Sequence, residues 1–422
     1  MYRDHTVAAV VPAYNEAGFV GSVIDDLPPY LDRAYVIDDG STDDTWAEIT
    51  EHAERRNAAH DGHFERLVVP IRHEENRGVG GAIKTGYLRA REEALDVTVV
   101  LGGDDQMDPS ELTRYIDPIV DDAAGYAKGN RFSRPEDWAR MPTFRLVGNV
   151  VLSYLTKVAS GYWESMDSQN GYTAISLSAL EATDIEGMYE YYGYCNDLLV
   201  RLNVAGVRVA DVPRSSTYAY SDGWKSHIDY REYVPRVSGM LLRSFLWRLR
   251  RKYLLERYDP IAPLYLLGGA GLTGSLAGLV TTLARRDRDG DAGSWFLATV
   301  VGALTVLYAT LRDRADNADL AVAVAEEAAA TAEDDAADRR EGGAATRTAE
   351  ATDGGTVERA GEPDAAATDE DAGPDDHDGD PPGGADGASD LPEEGPNTAV
   401  WEIHPRGGPW ERDDDGPGVS RR

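Results

Sequence analysis

Apolar and polar positions alternate in blocks along the first hundred residues. TVAAVVPAYNE, Thr6 to Glu16, is an apolar run that stops at a polar cluster, and AGFVGSVIDDLPPYL, Ala17 to Leu31, then spaces its apolar residues as a helix does. The alternation returns in AYVIDDGSTDDT and TWAEITEHAERR, then in LVVPIRHEENRG and VGGAIKTGYLRAREEAL, and DVTVVLGGDDQMDP starts a fourth round. Short unbroken apolar runs separated by helical stretches predict an α/β domain with a mostly parallel sheet, whose strands are buried on both faces. Ligands of such sheets bind beyond the carboxyl ends of the strands. Each polar cluster taken alone is accounted for as a turn or a helix cap, because Asp, Ser, Gly and Pro serve both. Four clusters at the same end of four successive strands point to a ligand edge: Pro12 to Glu16, Asp38 to Asp44, Asn76 to Lys84 and Asp104 to Asp108.

A different pattern follows. Ile261 to Ala284 and Ala292 to Leu311 carry no charge and have the length of about 20 residues that a bilayer requires. Joined by RRDRDGD, they predict a transmembrane hairpin, with Gly274 and Gly278 spaced for close helix approach. Before it, LLRSFLWRLRRKYLLERY interleaves Arg243, Arg248, Arg250, Arg251, Lys252 and Arg257 with large apolar residues. That is the pattern of an interfacial helix, and each such charge near an anionic leaflet contributes on the order of 1 kcal/mol. The expectation is a multi-pass cell-membrane protein with the preceding domain on the cytoplasmic face.

Composition changes the picture mainly at the C-terminus. From Ala315 to Ala399 the chain is dominated by Ala, Asp, Glu and Gly with no aromatic residue, so it lacks the apolar area that offsets ordering entropy. The expected division is 1–240 as the soluble α/β domain, 241–260 as the basic amphipathic helix, 261–314 as the hairpin and 315–422 as a disordered acidic tail. The formal net charge is -33 and nearly all basic residues are Arg, which suits a high-salt cytoplasm and no nucleic-acid partner. The lone Cys195 excludes an internal disulfide and a cysteine metal cluster.

PAYNE at Pro12, DDGSTDDT at Asp38, NRGVGGAIKTG at Asn76 and GDDQMDP at Gly103 resemble, in order, the motifs of family 2 glycosyltransferases. Within that family they are most similar to the dolichyl-phosphate mannose or glucose synthase branch. The resemblance covers residues 6–240, more loosely the hairpin. It implies a glycosyltransferase A-type, Rossmann-like mixed sheet and an inverting transfer of a hexose to a membrane polyprenyl (dolichyl) phosphate. The donor would be a nucleotide diphosphate sugar of the GDP-mannose or UDP-glucose class, and the cofactor Mg2+ or Mn2+. A cation held by carboxylates suits this chemistry, since negative charge develops on the leaving diphosphate.

Carried over position by position, the resemblance assigns Pro12, Tyr14, Glu16, Asp39, Lys84 and Asp104 to the nucleotide sugar. It assigns Asp104, Gln106 and Asp105 to the metal; Asp104, Arg131 and Asp197 to catalysis; and Arg131, Lys225 and His227 to the acceptor phosphate. Gly102 stands where the family motif has its first Asp. Asp105, Asp108, or donor phosphates with water are the alternatives for completing the coordination. A processive polysaccharide synthase is disfavoured by the lack of a Gln-x-x-Arg-Trp motif, and a pyrophosphorylase by PAYNE in place of a Gly-rich, Arg-containing loop. The non-enzyme alternative, which Gly102 favours, is a membrane scaffold with a degenerate glycosyltransferase fold.

Overall fold

The computed structural model describes residues 1–132, 143–213, 230–285 and 292–324. β1 (Val7–Ala13), β2 (Arg33–Asp38), β3 (Val68–Arg72) and β4 (Val97–Val100) are the four runs seen in the sequence, and they pair in parallel. β5 (Tyr126–Asn130), β6 (Thr173–Ser176), β7 (Val209–Pro213) and β8 (Ala321–Ala323) extend the sheet to the order β3-β2-β1-β4-β6-β5-β7-β8. β6 is antiparallel to both its neighbours, which makes the sheet mixed and mostly parallel, as expected.

Burial on both faces explains the unbroken apolar runs. Val7, Ala9, Val11 and Ala13 of β1 enter one core, while Ala8 and Val10 enter the other. The first core is closed by α1 (Val20–Asp25), α2 (Thr45–Ala58) and α4 (Thr113–Val120). α3 (Val79–Glu92), α6 (Leu177–Ala182) and α7 (Tyr194–Val204) close the second. α1 is much shorter than the predicted Ala17 to Leu31 stretch: it stops ahead of Pro28 and Pro29, which cannot continue a helix.

α5 (Thr143–Ser160) packs beside α8 (Tyr230–Arg248) through Ala159, Val237, Met240 and Leu241, and a π-helical segment, Leu249–Glu256, continues α8. α9 (Ile261–Arg285) and α10 (Ala292–Asp316) form the hairpin. Both are long and apolar enough to cross a membrane, and Leu267, Leu283, Phe296, Leu297 and Leu304 among others are exposed, so this is no buried core hairpin. The predicted glycine contact is met at one of its two positions. A side chain at Gly274 would meet nothing, whereas an added Cβ at Gly278 would lie 2.6 Å from the Trp295 ring of α10, and one at Gly302 2.7 Å from the Leu272 backbone nitrogen.

Two expectations about the flanks are corrected. Arg248 and Lys252, predicted to face the leaflet, are buried, while Arg243, Arg250, Arg251 and Arg257 remain exposed. Residues 315–324, predicted to open the disordered tail, instead finish α10, make a short turn at Ala318–Leu320 and return to the sheet as β8, parallel to β7. The rest of the predicted tail lies outside the described residues.

Candidate active site

The loops that follow β1, β2 and β4 are stitched into one edge by their own side chains. Asn15 takes φ 55° and accepts the Thr42 N–H at 2.9 Å through its side chain, and the Asn15 N–H donates to Ser41 Oγ at 2.9 Å. Thr45 Oγ1 accepts the Glu16 N–H at 2.8 Å. The carbonyl of Pro12 accepts the Gly103 N–H at 3.1 Å, which draws the LGGDDQ stretch against the end of β1. Tyr14, Glu16, Asp39 and Asp104 are thereby brought to the carboxyl ends of adjacent strands, as predicted for a ligand edge. Pro12 is buried and acts there through its backbone.

Glu16 is 4% exposed. Burial, then the nearby Asp104 and Asp43 carboxylates, push its carboxyl up to about 9. A cation or a hydrogen-bond donor placed between Glu16 and Asp104 would relieve that repulsion. Asp104 leans back over Gly102: a Cβ at position 102 would meet Asp104 Oδ1 at 2.6 Å, so this carboxylate occupies space beside the missing family side chain. The Gln106 N–H donates to the same oxygen at 3.3 Å.

The other metal candidates are engaged differently. Asp105 is exposed at φ 55°, and burial followed by the charge of Asp26 raises its carboxyl, so it faces another acid. Asp108 caps the turn Pro109–Glu111 by accepting the Ser110 N–H at 2.9 Å. No group of three or more His, Cys, Asp or Glu side chains is arranged to hold a metal among the described residues. The donor set fits a cation anchored by Asp104 next to Glu16, with the remaining positions left for phosphate and water oxygens.

Asp39 is fully buried and doubly engaged: both oxygens accept the Arg77 N–H at 3.0 and 3.1 Å, and Oδ1 pairs with His73 Nδ1 at 2.6 Å. His73 Nε2 meets Thr85 Oγ1 at 2.9 Å, so His73 fixes Asp39 to α3. A carboxylate has about four acceptor sites, and Asp39 keeps capacity for a hydroxyl.

The glycines before Lys84 let another part of the chain approach the start of α3 closely. An added Cβ at Gly80 would lie 2.6 Å from the Tyr189 carbonyl oxygen, and the Gly81 N–H donates to the Glu190 carbonyl at 2.9 Å. The start of α3 is occupied by the chain's own Tyr189 to Tyr191 segment. Lys84 Nζ and Arg77 Nη2 both donate to Glu190 Oε1 at 2.9 Å. Burial works to raise the Glu190 carboxyl, but these two cations outweigh it and hold it below the usual range.

Arg131 follows β5 and is held by buried Asp167: Nε and Nη2 each donate at 2.8 Å, and the backbone N–H at 3.0 Å. Burial opposes ionisation of Asp167, but Arg131 outweighs it and keeps this carboxyl low. Asp197 is placed apart from the strand-end acids by its bonding. It accepts the Tyr189 N–H at 2.9 Å, Arg201 Nε at 2.7 Å and Ser244 Oγ at 2.7 Å, which fasten α7 to α8. These contacts make Asp197 a joint between the two helices. Lys225 and His227 lie outside the described residues. Sequence reasoning missed His73, Asp167 and Glu190, whose partners are remote in the chain; only the position of His73 directly after β3 was a usable signal.

The profile of Glycosyl transferase family 2 matches residues 8–183. The UDP-N-acetylglucosamine–dolichyl-phosphate N-acetylglucosaminyltransferase of Methanococcus voltae is 32% identical over 219 residues, 51% of this chain and 87% of that protein. The dolichyl-phosphate hexose transferase of Haloferax volcanii is 25% identical over 213 residues, 50% of this chain and 83% of its own. Among solved structures, glucosyl-3-phosphoglycerate synthase from Mycobacterium tuberculosis, crystallised with Mn2+, UDP and its product, is similar at 17% identity and a TM-score of 0.41, over 58% of this chain and 80% of that one. The chain belongs to glycosyl transferase family 2 and is a glycosyltransferase related to the dolichyl-phosphate sugar transferases.

Proposed function

We propose that the protein transfers a hexose, with inversion, from a nucleotide diphosphate sugar to a polyprenyl phosphate at the cytoplasmic face of the cell membrane. One observation carries this reading: the sheet that presents Asp104 beside buried Glu16 also receives β8 directly from the apolar hairpin. Donor edge and membrane-length helices are thus one body.

Tyr14 and Asp39 hold the nucleoside, with Asp39 kept in place by His73 and the Arg77 N–H. Asp104, beside Glu16, would hold Mg2+ or Mn2+, which would supply positive charge to the leaving diphosphate. Arg131, pinned by Asp167, presents its guanidinium to the acceptor phosphate. A phosphomonoester with its second pKa near about 6 is already largely ionised at neutral pH, so attack needs little general-base help. Positioning and charge neutralisation then supply the rate.

The test is incubation of the reconstituted chain with long-chain polyprenyl phosphate and a panel of labelled GDP-mannose, UDP-glucose and UDP-N-acetylglucosamine, with and without Mg2+ or Mn2+. Cation-dependent label in the lipid phase, with the anomeric configuration opposite to the donor's, is the expected result. Nucleotide-sugar binding without any lipid product would return the reading to a scaffold.

A further inference from the structure

The base of the hairpin is joined to the catalytic domain by side chains that a flexible tether would not require. Arg248 and Asp313 are both fully buried, and Arg248 Nη1 and Nη2 donate to the two Asp313 oxygens at 3.0 and 2.8 Å. Tyr253 Oη donates to Asp313 Oδ1 at 2.6 Å. Lys252 Nζ donates to Asn317 Oδ1 at 2.5 Å and to Asn203 Oδ1 at 2.8 Å, and Asn203 Nδ2 donates to Asn317 Oδ1 at 2.8 Å. Three parts of the chain meet here: the segment entering the hairpin, the end of α10 leaving it, and α7 of the catalytic domain.

The junction also reaches toward Arg131. Arg248 Nη2 donates to the Val158 carbonyl at 3.1 Å, near the end of α5. The loop that follows carries Glu164, paired with Arg314 of α10 at 2.6 Å, and Asp167, which pins Arg131. On the far side β8 adds to β7 directly after the junction. A buried bidentate pair has one geometry, so the two bodies are set at one height and angle.

We propose that the Arg248–Asp313 pair, with Lys252, Asn203 and Asn317, is a positioning latch that holds Arg131 at the height of an acceptor phosphate fixed in the membrane surface. The proposal rests on the polyprenyl-phosphate reading given above. A lipid-borne phosphate cannot move to meet a displaced site, whereas a water-soluble one can. The latch therefore matters for the first kind of acceptor alone.

The experiment uses the full chain in phosphatidylcholine/phosphatidylglycerol vesicles and compares a long-chain polyprenyl phosphate in the bilayer with a short-chain, water-soluble one. Asp313→Asn removes the charge that holds Arg248, and Val322→Pro breaks the pairing of β8 with β7 from a separate point at the sheet edge. Both variants should lose about a hundredfold in rate on the bilayer acceptor, the scale of a misplacement of about 1 Å. Transfer to the soluble acceptor and nucleotide-sugar affinity should stay at wild-type values. Should Asp313→Asn fail to bind nucleotide sugar, and so to fold, Val322→Pro decides. Equal losses on the two acceptors, or no loss on either, overturn the latch. A wild type that transfers to neither acceptor overturns the polyprenyl-phosphate reading instead.

Discussion

Asp104 stands alone where the family pattern has two acids, and its carboxylate leans over the glycine that replaces the other. Asp104→Asn should lower cation-supported transfer roughly a thousandfold while leaving the fold intact, since the residue lies on a loop at the edge of the sheet. Gly102→Ala should itself cost about tenfold, a shift worth about 1.4 kcal/mol, because the new methyl group displaces Asp104 Oδ1. Transfer rates titrated against Mn2+ check both, and wild-type behaviour in Asp104→Asn would remove the metal role. Cys195 provides a probe of the second core: burial pushes its thiol up to about 11. The thiolate is the reactive form, so alkylation at pH 8 should be slow in the folded protein and become fast only on unfolding, as mass spectrometry would show. Tyr14, Glu16, Asp39 and Asp104 were legible because strand ends converge by topology. Asp167 and Glu190 were not, because an ion pair between residues far apart in the chain leaves no local pattern.

At the level of elements, α3 is held by the backbone of the Tyr189 to Tyr191 segment. Gly80→Ala would press a methyl group against the Tyr189 carbonyl and should destabilise the domain by about 1–3 kcal/mol, read as a lower melting temperature. Gly269→Ala, where an added Cβ meets nothing, is the control. The first four strands with α2 and α3 could be read from periodicity, because burial on both faces leaves little room for polar interruption. The reversal at β6 could not, since direction is set by which edge the connection reaches and not by side-chain spacing. β8 was hidden for another reason. Three small apolar residues inside an Ala-rich, acidic stretch become a strand only because β7 offers an open edge beside the junction.

On the scale of the whole molecule, the boundary of the folded part moves from 315 to at least 324. Truncation after Val324 should leave transfer unchanged, whereas truncation after Arg314 removes Asn317 and β8 and should abolish most transfer to a bilayer acceptor. Equal activity in the two truncations would contradict this boundary, with membrane extraction showing that both are inserted. The return of the chain as β8 also orders events in time. Synthesis delivers β1 to β7 first, so the catalytic sheet waits with an unpaired edge at β7 while α9 and α10 are made. Under the proposed membrane placement, β8 reaches that edge only after both helices have entered the bilayer and turned back. A nascent chain whose hairpin fails to insert is left with an open strand edge, the feature that invites aggregation and proteolysis. Completion of the sheet thus depends on the return of the chain from the hairpin.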